Sequence, residues 1–149
     1  MRTTYPELSG LTGTRLGPGD WVEMTQERID RFAEATEDPQ WIHVDAARAA
    51  AGPFGATVAH GYLTLSLLPR LMRGLLVVDG AQMVVNVGSD RVRFIAPVRS
   101  GTRVRAAAVV AAVTPGERGT RVESDVTVEI EGEDRPALAA RTIALHVPA

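Results

Sequence analysis

From Gln82 to the C-terminus, apolar side chains recur at alternate positions in five stretches: MVVNV, RVRFIAPV, TRVRAAAVVAAV, TRVESDVTVEIEG and PALAARTIALHV. A period of two sends successive side chains to opposite faces of an extended chain, so this half of the sequence is committed to a sheet. Turn chemistry at Gly88-Ser89, Ser100-Gly101, Pro115-Gly116 and Glu131 to Asp134 separates the stretches. The connections are shorter than the roughly dozen residues a parallel crossover needs, so neighbouring strands should be antiparallel.

The first half follows a different period. Thr25 can cap a helix over QERIDRFAEAT, in which Ile29, Phe32 and Ala33 form one apolar stripe. Pro39 disfavours helix at Asp38, so DPQWIH is expected as an ordered loop, and Asp45 should cap a short helix AARAAA that Gly52 and Pro53 end. The run that follows, HGYLTLSLLPRLMRGLL, is apolar on nearly every side of a helix. Such a helix is buried, and Pro69 should bend it or end its first half. Residues 1–19 show no helical period and read as an N-terminal arm leading into a short extended piece, WVEM. No repeat or linker divides the chain. Residues 1–149 are therefore read as one α+β domain, an antiparallel sheet of five or six strands with a long apolar helix at its centre.

Charge and composition exclude several function classes. The 16 basic and 18 acidic residues are interspersed, which gives neither a nucleic-acid footprint nor a polybasic membrane patch. Every basic residue is arginine, so Schiff-base chemistry on a lysine is excluded. Cysteine is absent, which removes disulfides, thiol nucleophiles and thiolate metal sites and suits a reducing compartment. The start of the chain lacks an apolar leader and no stretch approaches a membrane span, so a cytoplasmic location is expected. The three histidines show no metal-ligand spacing, and no metal site is expected.

Chemistry concentrates in FAEATEDPQWIHVDAARAAAGPFGATVAHGYLTLSLL. Asp38 and His43 flank a segment stiffened by Pro39, and a loop held by helices at both ends can aim a carboxylate and an imidazole at one small volume. Histidine exchanges protons near neutral pH, and a nearby Asp can share a bound water or orient the ring. Gly61 lies where the apolar helix should begin, and the first amides of a helix have no intrahelical partner. An oxyanion can be stabilised there, and glycine permits its close approach.

The texts ATEDPQWIHVD and FGATVAHGYL, with the later GSDRVRFIAPVRSGTRV, resemble the MaoC-like dehydratase family, which includes (R)-specific enoyl-CoA hydratases. The likeness spans about residues 20 to 147 and is greatest to the NodN-like branch. It implies a hot-dog fold, the sheet wrapped around the central helix with a catalytic segment overhanging it, and a homodimer joined edge to edge. It also implies (R)-specific hydration of trans-2-enoyl-CoA, and the reverse dehydration, with coenzyme A as part of the substrate and no cofactor. Asp38 and His43 match the family's catalytic pair, and Gly61 matches the glycine whose amide polarises the thioester carbonyl. Gln40, Ala59 and His60 fall in the oxyanion and substrate-binding part of the pattern. Three positions depart from the commonest form: Glu37 stands for Gly, Gln40 for Asn and Trp41 for Pro. Trp41 should add bulk near the pocket.

Plainer readings apply at several positions. His60 is better read as a structural residue holding Gly61 in place, and His146 as an ordinary surface residue of the last strand. Arg91 with Arg93, and Arg103 with Arg105, either face solvent or meet coenzyme A phosphates. Two rival functions remain. An acyl-CoA thioesterase on the same fold would want a carboxylate on the central helix, and none occurs between Gly61 and Val78. A non-catalytic acyl-thioester binder would not need Asp38, His43 and Gly61 together.

Overall fold

The alternating stretches form one antiparallel sheet in the computed structural model, which describes residues 1–149. In chain order the elements are β1 (Arg2–Thr4), a 3-10 turn (Tyr5–Gly10), β2 (Arg15–Leu16), β3 (Val22–Glu23), α1 (Gln26–Thr36), α2 (Trp41–Val44) and α3 (Ala46–Ala50). They continue with α4 (Gly61–Ser66), α5 (Leu68–Leu71), β4 (Val77–Asp79), β5 (Ala81–Phe94), β6 (Arg103–Gly116), β7 (Gly119–Ile130) and β8 (Leu138–Pro148). The six-stranded sheet runs β2-β6-β7-β8-β5, with β3 also paired to β6, and β1 and β4 form a separate parallel pair.

Alternation decides what is buried. Val104, Ala106, Ala108 and Val110 of β6 are buried at every second position, as are Val126, Val128 and Ile130 of β7 and Leu138 and Ala140 of β8. Leu63, Leu68 and Leu71 from the helices belong to the same cluster. Each of the valine, leucine and isoleucine side chains contributes about 1.5–3 kcal/mol on leaving water.

The expectation at Pro69 is met, and three others are corrected. The central helix is two short helices, because Pro69 has no N–H to give Leu65 and Gly74, at φ 79°, closes the last turn. Gly88-Ser89 does not separate two strands. The chain stays paired to β8 on both sides of it, and the glycine falls in an irregularity between Asn86 and Gly88 within one strand. The N-terminal residues are no arm: Leu8, Leu11 and Leu16 are buried in the main core, and β2 pairs with Val109 and Ala108 of β6. Finally, the segment after Pro39 is not all loop, since Trp41–Val44 makes one helical turn. Pro39 restrains only the residue before it.

β5 is the edge of the sheet and is unlike the other long strands. Met83, Val84, Val85, Val87 and Phe94 are all exposed on it. An unpaired edge with apolar side chains is a template for pairing with another chain.

Candidate active site

The site is assembled from the end of α1, from α2 and from the start of α4. Thr25 caps α1 by accepting from the Arg28 N–H at 3.2 Å, as its position before the apolar stripe predicts. At the other end Glu37 takes the left-handed conformation, φ 56° and ψ 34°, and the Asp38 N–H donates to the Ala33 carbonyl at 3.0 Å. This reversal lifts Asp38 off the helix. The glycine commonly found at position 37 in the family pattern is thereby explained, since a left-handed residue with a Cβ is strained by roughly 1–2 kcal/mol. Glu37→Gly is accordingly expected to stabilise the fold by about 0.5–1 kcal/mol after the added freedom of the unfolded chain is subtracted, raising the thermal midpoint by a few degrees. A calorimetric midpoint at or below that of the parent would show that the turn is unstrained.

Long-range bonds hold α2 in place. Gln26 donates to the His43 carbonyl at 2.7 Å and accepts from the Thr57 hydroxyl, tying α1 to both α2 and the segment before α4. The Val58 N–H donates to the Ile42 carbonyl at 3.0 Å. In return the buried His43 ring donates Nδ1–H to the Val58 carbonyl at 2.6 Å. A carbonyl can only accept, so Nδ1 carries the proton and Nε2 is left with its lone pair. Burial lowers the His43 pKa below its ordinary 6.5, and neighbouring His60 adds to this, against opposing effects from the Val58 bond and Asp38. The ring is therefore neutral at pH 7.

His60 is the residue before α4 and is buried. Its Nε2–H donates to the backbone carbonyl of Asp38 at 3.0 Å, and its ring stacks on His43 with centroids 3.7 Å apart and lies 5.0 Å from that of Phe32. The structural reading of His60 thus acquires specific contacts: it links the Asp38 turn to the His43 ring. Its Nδ1 is buried without a partner. The Asp38 side chain is 56% exposed, with Oδ2 3.9 Å from His60 Nε2.

The fold brings together what sequence spacing keeps apart. One ligand-type atom each from Asp38, His43 and His60 lie within 4.8 Å of one another, the donor types of a two-histidine, one-carboxylate metal site. His43 Nδ1 and His60 Nε2 are spent on carbonyls, which leaves His43 Nε2 and His60 Nδ1 as the ring nitrogens with free lone pairs. A carboxylate beside an imidazole lone pair, open to solvent on the Asp38 side, can hold and deprotonate a water.

Gly61 is the first residue of α4, and its N–H makes no hydrogen bond within the chain. The six-residue α4 lends less dipole than a long helix would, so the free amide itself is the electrophilic feature. A Cβ at Gly61 would stand 2.9 Å from the Phe94 ring, which explains why only glycine fits. Phe94, 48% exposed, also meets Tyr62 edge-on at 5.6 Å. Sequence reasoning missed Phe94, Phe32, Gln26 and Val58; only the Phe94 position, inside the quoted RFIAPV text, carried a signal.

The other expected residues lie as follows. Ala59 is buried and its N–H bonds to the Val98 carbonyl at 2.8 Å, anchoring the approach to α4. Gln40 is exposed and its side chain caps nothing; only its carbonyl is used, accepting from the His43 N–H at 2.9 Å. Trp41 packs toward α3, against Gly52 and under the Arg48 guanidinium at 4.4 Å, so its bulk is spent on that helix. Arg103 and Arg105 pair with Glu131 and Glu129 across the sheet, whereas Arg93 makes no ion pair. His146 is a correction: it is 5% exposed, because its strand is internal and the side chain turns to the concave face.

The profile of the family described as "MaoC like domain" matches residues 8–132. A 3-hydroxyacyl-thioester dehydratase Z of Mycobacterium tuberculosis is 47% identical over 99% of both chains. Nodulation protein N of Rhizobium meliloti is 44% identical over 93% of this chain and 88% of its own. Among solved structures, the unliganded R-hydratase PhaJ1 of Pseudomonas aeruginosa superposes with a TM-score of 0.74 at 20% identity, covering 93% of this chain and 83% of that one.

Proposed function

The chain belongs to the MaoC-like dehydratase family, and on that premise we propose that it adds water to trans-2-enoyl-CoA to give (R)-3-hydroxyacyl-CoA, and catalyses the reverse dehydration. The carrying observation is the His43 tautomer: Nδ1–H is fixed on Val58, which leaves Nε2 as the basic nitrogen of a ring clustered with Asp38. The thioester carbonyl accepts from the Gly61 amide. His43 Nε2 takes a proton from a water that Asp38 holds, and the oxygen attacks Cβ. Electron density moves through Cα to the carbonyl, and the enolate oxygen is stabilised by the Gly61 N–H. Cα then receives the proton that His43 took, relayed through Asp38, so both side chains return to their starting states. Both new bonds form on the face that carries the two side chains, so addition is syn. Acid–base chemistry and one hydrogen bond suffice, and coenzyme A enters only as part of the substrate.

The test is direct. Crotonyl-CoA should lose its enoyl absorbance and yield the (R)-alcohol. Release of free thiol without that loss would instead favour a thioesterase, and binding with neither change a non-catalytic thioester binder.

The same reading includes a homodimer and, given the absence of cysteine, a reducing cytoplasmic setting. β5 leaves its outer edge unpaired, and its exposed apolar side chains continue to Phe94 beside the Gly61 amide. A second copy paired there would cover the edge and dry the surroundings of that amide. Light scattering should give twice the 15.9 kDa chain mass; a monomeric mass in an active preparation would overturn the dimer.

A further inference from the structure

A cavity of about 580 Å³ lies on the far side of α4 and α5, between them and the inner face of β5, β7 and β8. It begins at Leu65, one helical turn beyond Gly61, or roughly 6 Å at 1.5 Å per residue. Ser66 and Arg73 add polar groups to the helix side, but it is mainly apolar, with Leu65, Leu68 and Met72. The sheet side is not. The inner face that is wholly apolar at Val126, Val128, Leu138 and Ala140 becomes polar at Ser124, Thr142 and His146, with Asn86 beside them on β5.

These polar groups have hydrogen-bonding capacity to spare. Thr142 donates to the Ser124 carbonyl at 3.4 Å, and the Ser124 hydroxyl makes no hydrogen bond within the chain, while the exposed Asn86 amide meets solvent. His146 is 5% exposed and lines the cavity; its Nδ1 is buried away from the surface without a partner, and its Nε2 makes no hydrogen bond within the chain. Buried polar groups are normally paired, and an unpaired imidazole nitrogen in a cavity wall is where a ligand's polar group belongs. An unsubstituted alkyl chain would fill this space and leave the wall unsatisfied. A hydroxyl both donates and accepts, so it can give its proton to one of these groups and accept from another.

We propose that this cavity receives the distal part of an acyl chain bearing a hydroxyl group, and that Ser124 and His146 select for that group. The inference rests on the hydratase reading above and narrows it to hydroxylated acyl thioesters. It is tested by comparing kcat/KM for trans-2-decenoyl-CoA with that for derivatives hydroxylated on the distal half of the chain, with crotonyl-CoA run alongside. The best hydroxylated chain should exceed the plain one by about tenfold or more, the scale of one satisfied hydrogen bond. That ratio should fall toward one in Ser124→Ala, which removes only the hydroxyl, and in His146→Leu. Crotonyl-CoA hydration with plain decenoyl-CoA as good as every hydroxylated chain, or with a ratio unmoved by Ser124→Ala, overturns the inference and leaves the hydratase reading standing. Failure to hydrate any enoyl-CoA sinks both.

Discussion

Replacing His43 with alanine is expected to lower kcat/KM for crotonyl-CoA hydration by roughly 10²–10⁴-fold, the usual contribution of a positioned acid–base group. The argument is geometric before it is electrostatic. The ring is buried, stacked on His60 and locked by the Val58 carbonyl, so the lone pair on Nε2 has one direction in which to act. Asp38→Asn should bring a loss of similar order, because the amide keeps the shape but cannot serve a proton. Circular dichroism should report folded protein in both variants. If either folded variant kept more than about half of the parent activity, its residue would lose its assigned role.

The same ring sets a pH dependence. Burial holds the His43 pKa below 6.5, and the base acts when neutral. Activity should therefore persist below pH 6.5 and fall only as the solution is acidified through the depressed pKa. The sign for stability is the same. A group that binds its proton more weakly in the folded than in the unfolded state contributes stability above the unfolded pKa, and that contribution is lost as pH falls below it. An acid limb of log kcat/KM centred at or above 6.5 would show that His43 is not desolvated as its burial implies.

Gly61→Ala is expected to be nearly as damaging, lowering kcat/KM by about 10²-fold, the lower end for losing an oxyanion donor. The new methyl would lie 2.9 Å from the Phe94 ring, closer than real Cβ contacts. Either the ring or the first turn of α4 must move, and the amide moves with that turn. Phe94→Ala in the same chain removes the obstacle and should return part of the loss, a coupling that a double-mutant cycle measures directly. Near-parent activity in Gly61→Ala would mean that the amide is not the carbonyl's partner. Loss without any recovery in the double variant would mean that Phe94 is not the cause.

The legible part of the site was the local part. Asp38, His43 and Gly61 stood out because a proline, two caps and a glycine mark their positions along the chain. His43 gains its tautomer from Val58, 15 residues away, and its stacking partner from the start of α4. Neither contact leaves a trace in spacing. His146 was misread because alternation shows that a strand has two faces without saying which one is covered. β8 lies between β7 and β5, and its concave face closes over the cavity.

By itself the sequence determined that the second half is extended, where α1 and α3 start, and which residues sit at the turns of the candidate site. These follow from side-chain periodicity, capping hydrogen bonds and the restrictions of proline, all of which act within a few residues. Tertiary structure alone decided that β5 runs unbroken past Gly88 and that residues 1–19 join the core. It also decided that a histidine, its stacking neighbour and a carboxylate share one small volume. Those outcomes depend on hydrogen bonds and apolar contacts between distant segments, and local preference yields to them wherever a partner strand or a buried surface lies opposite.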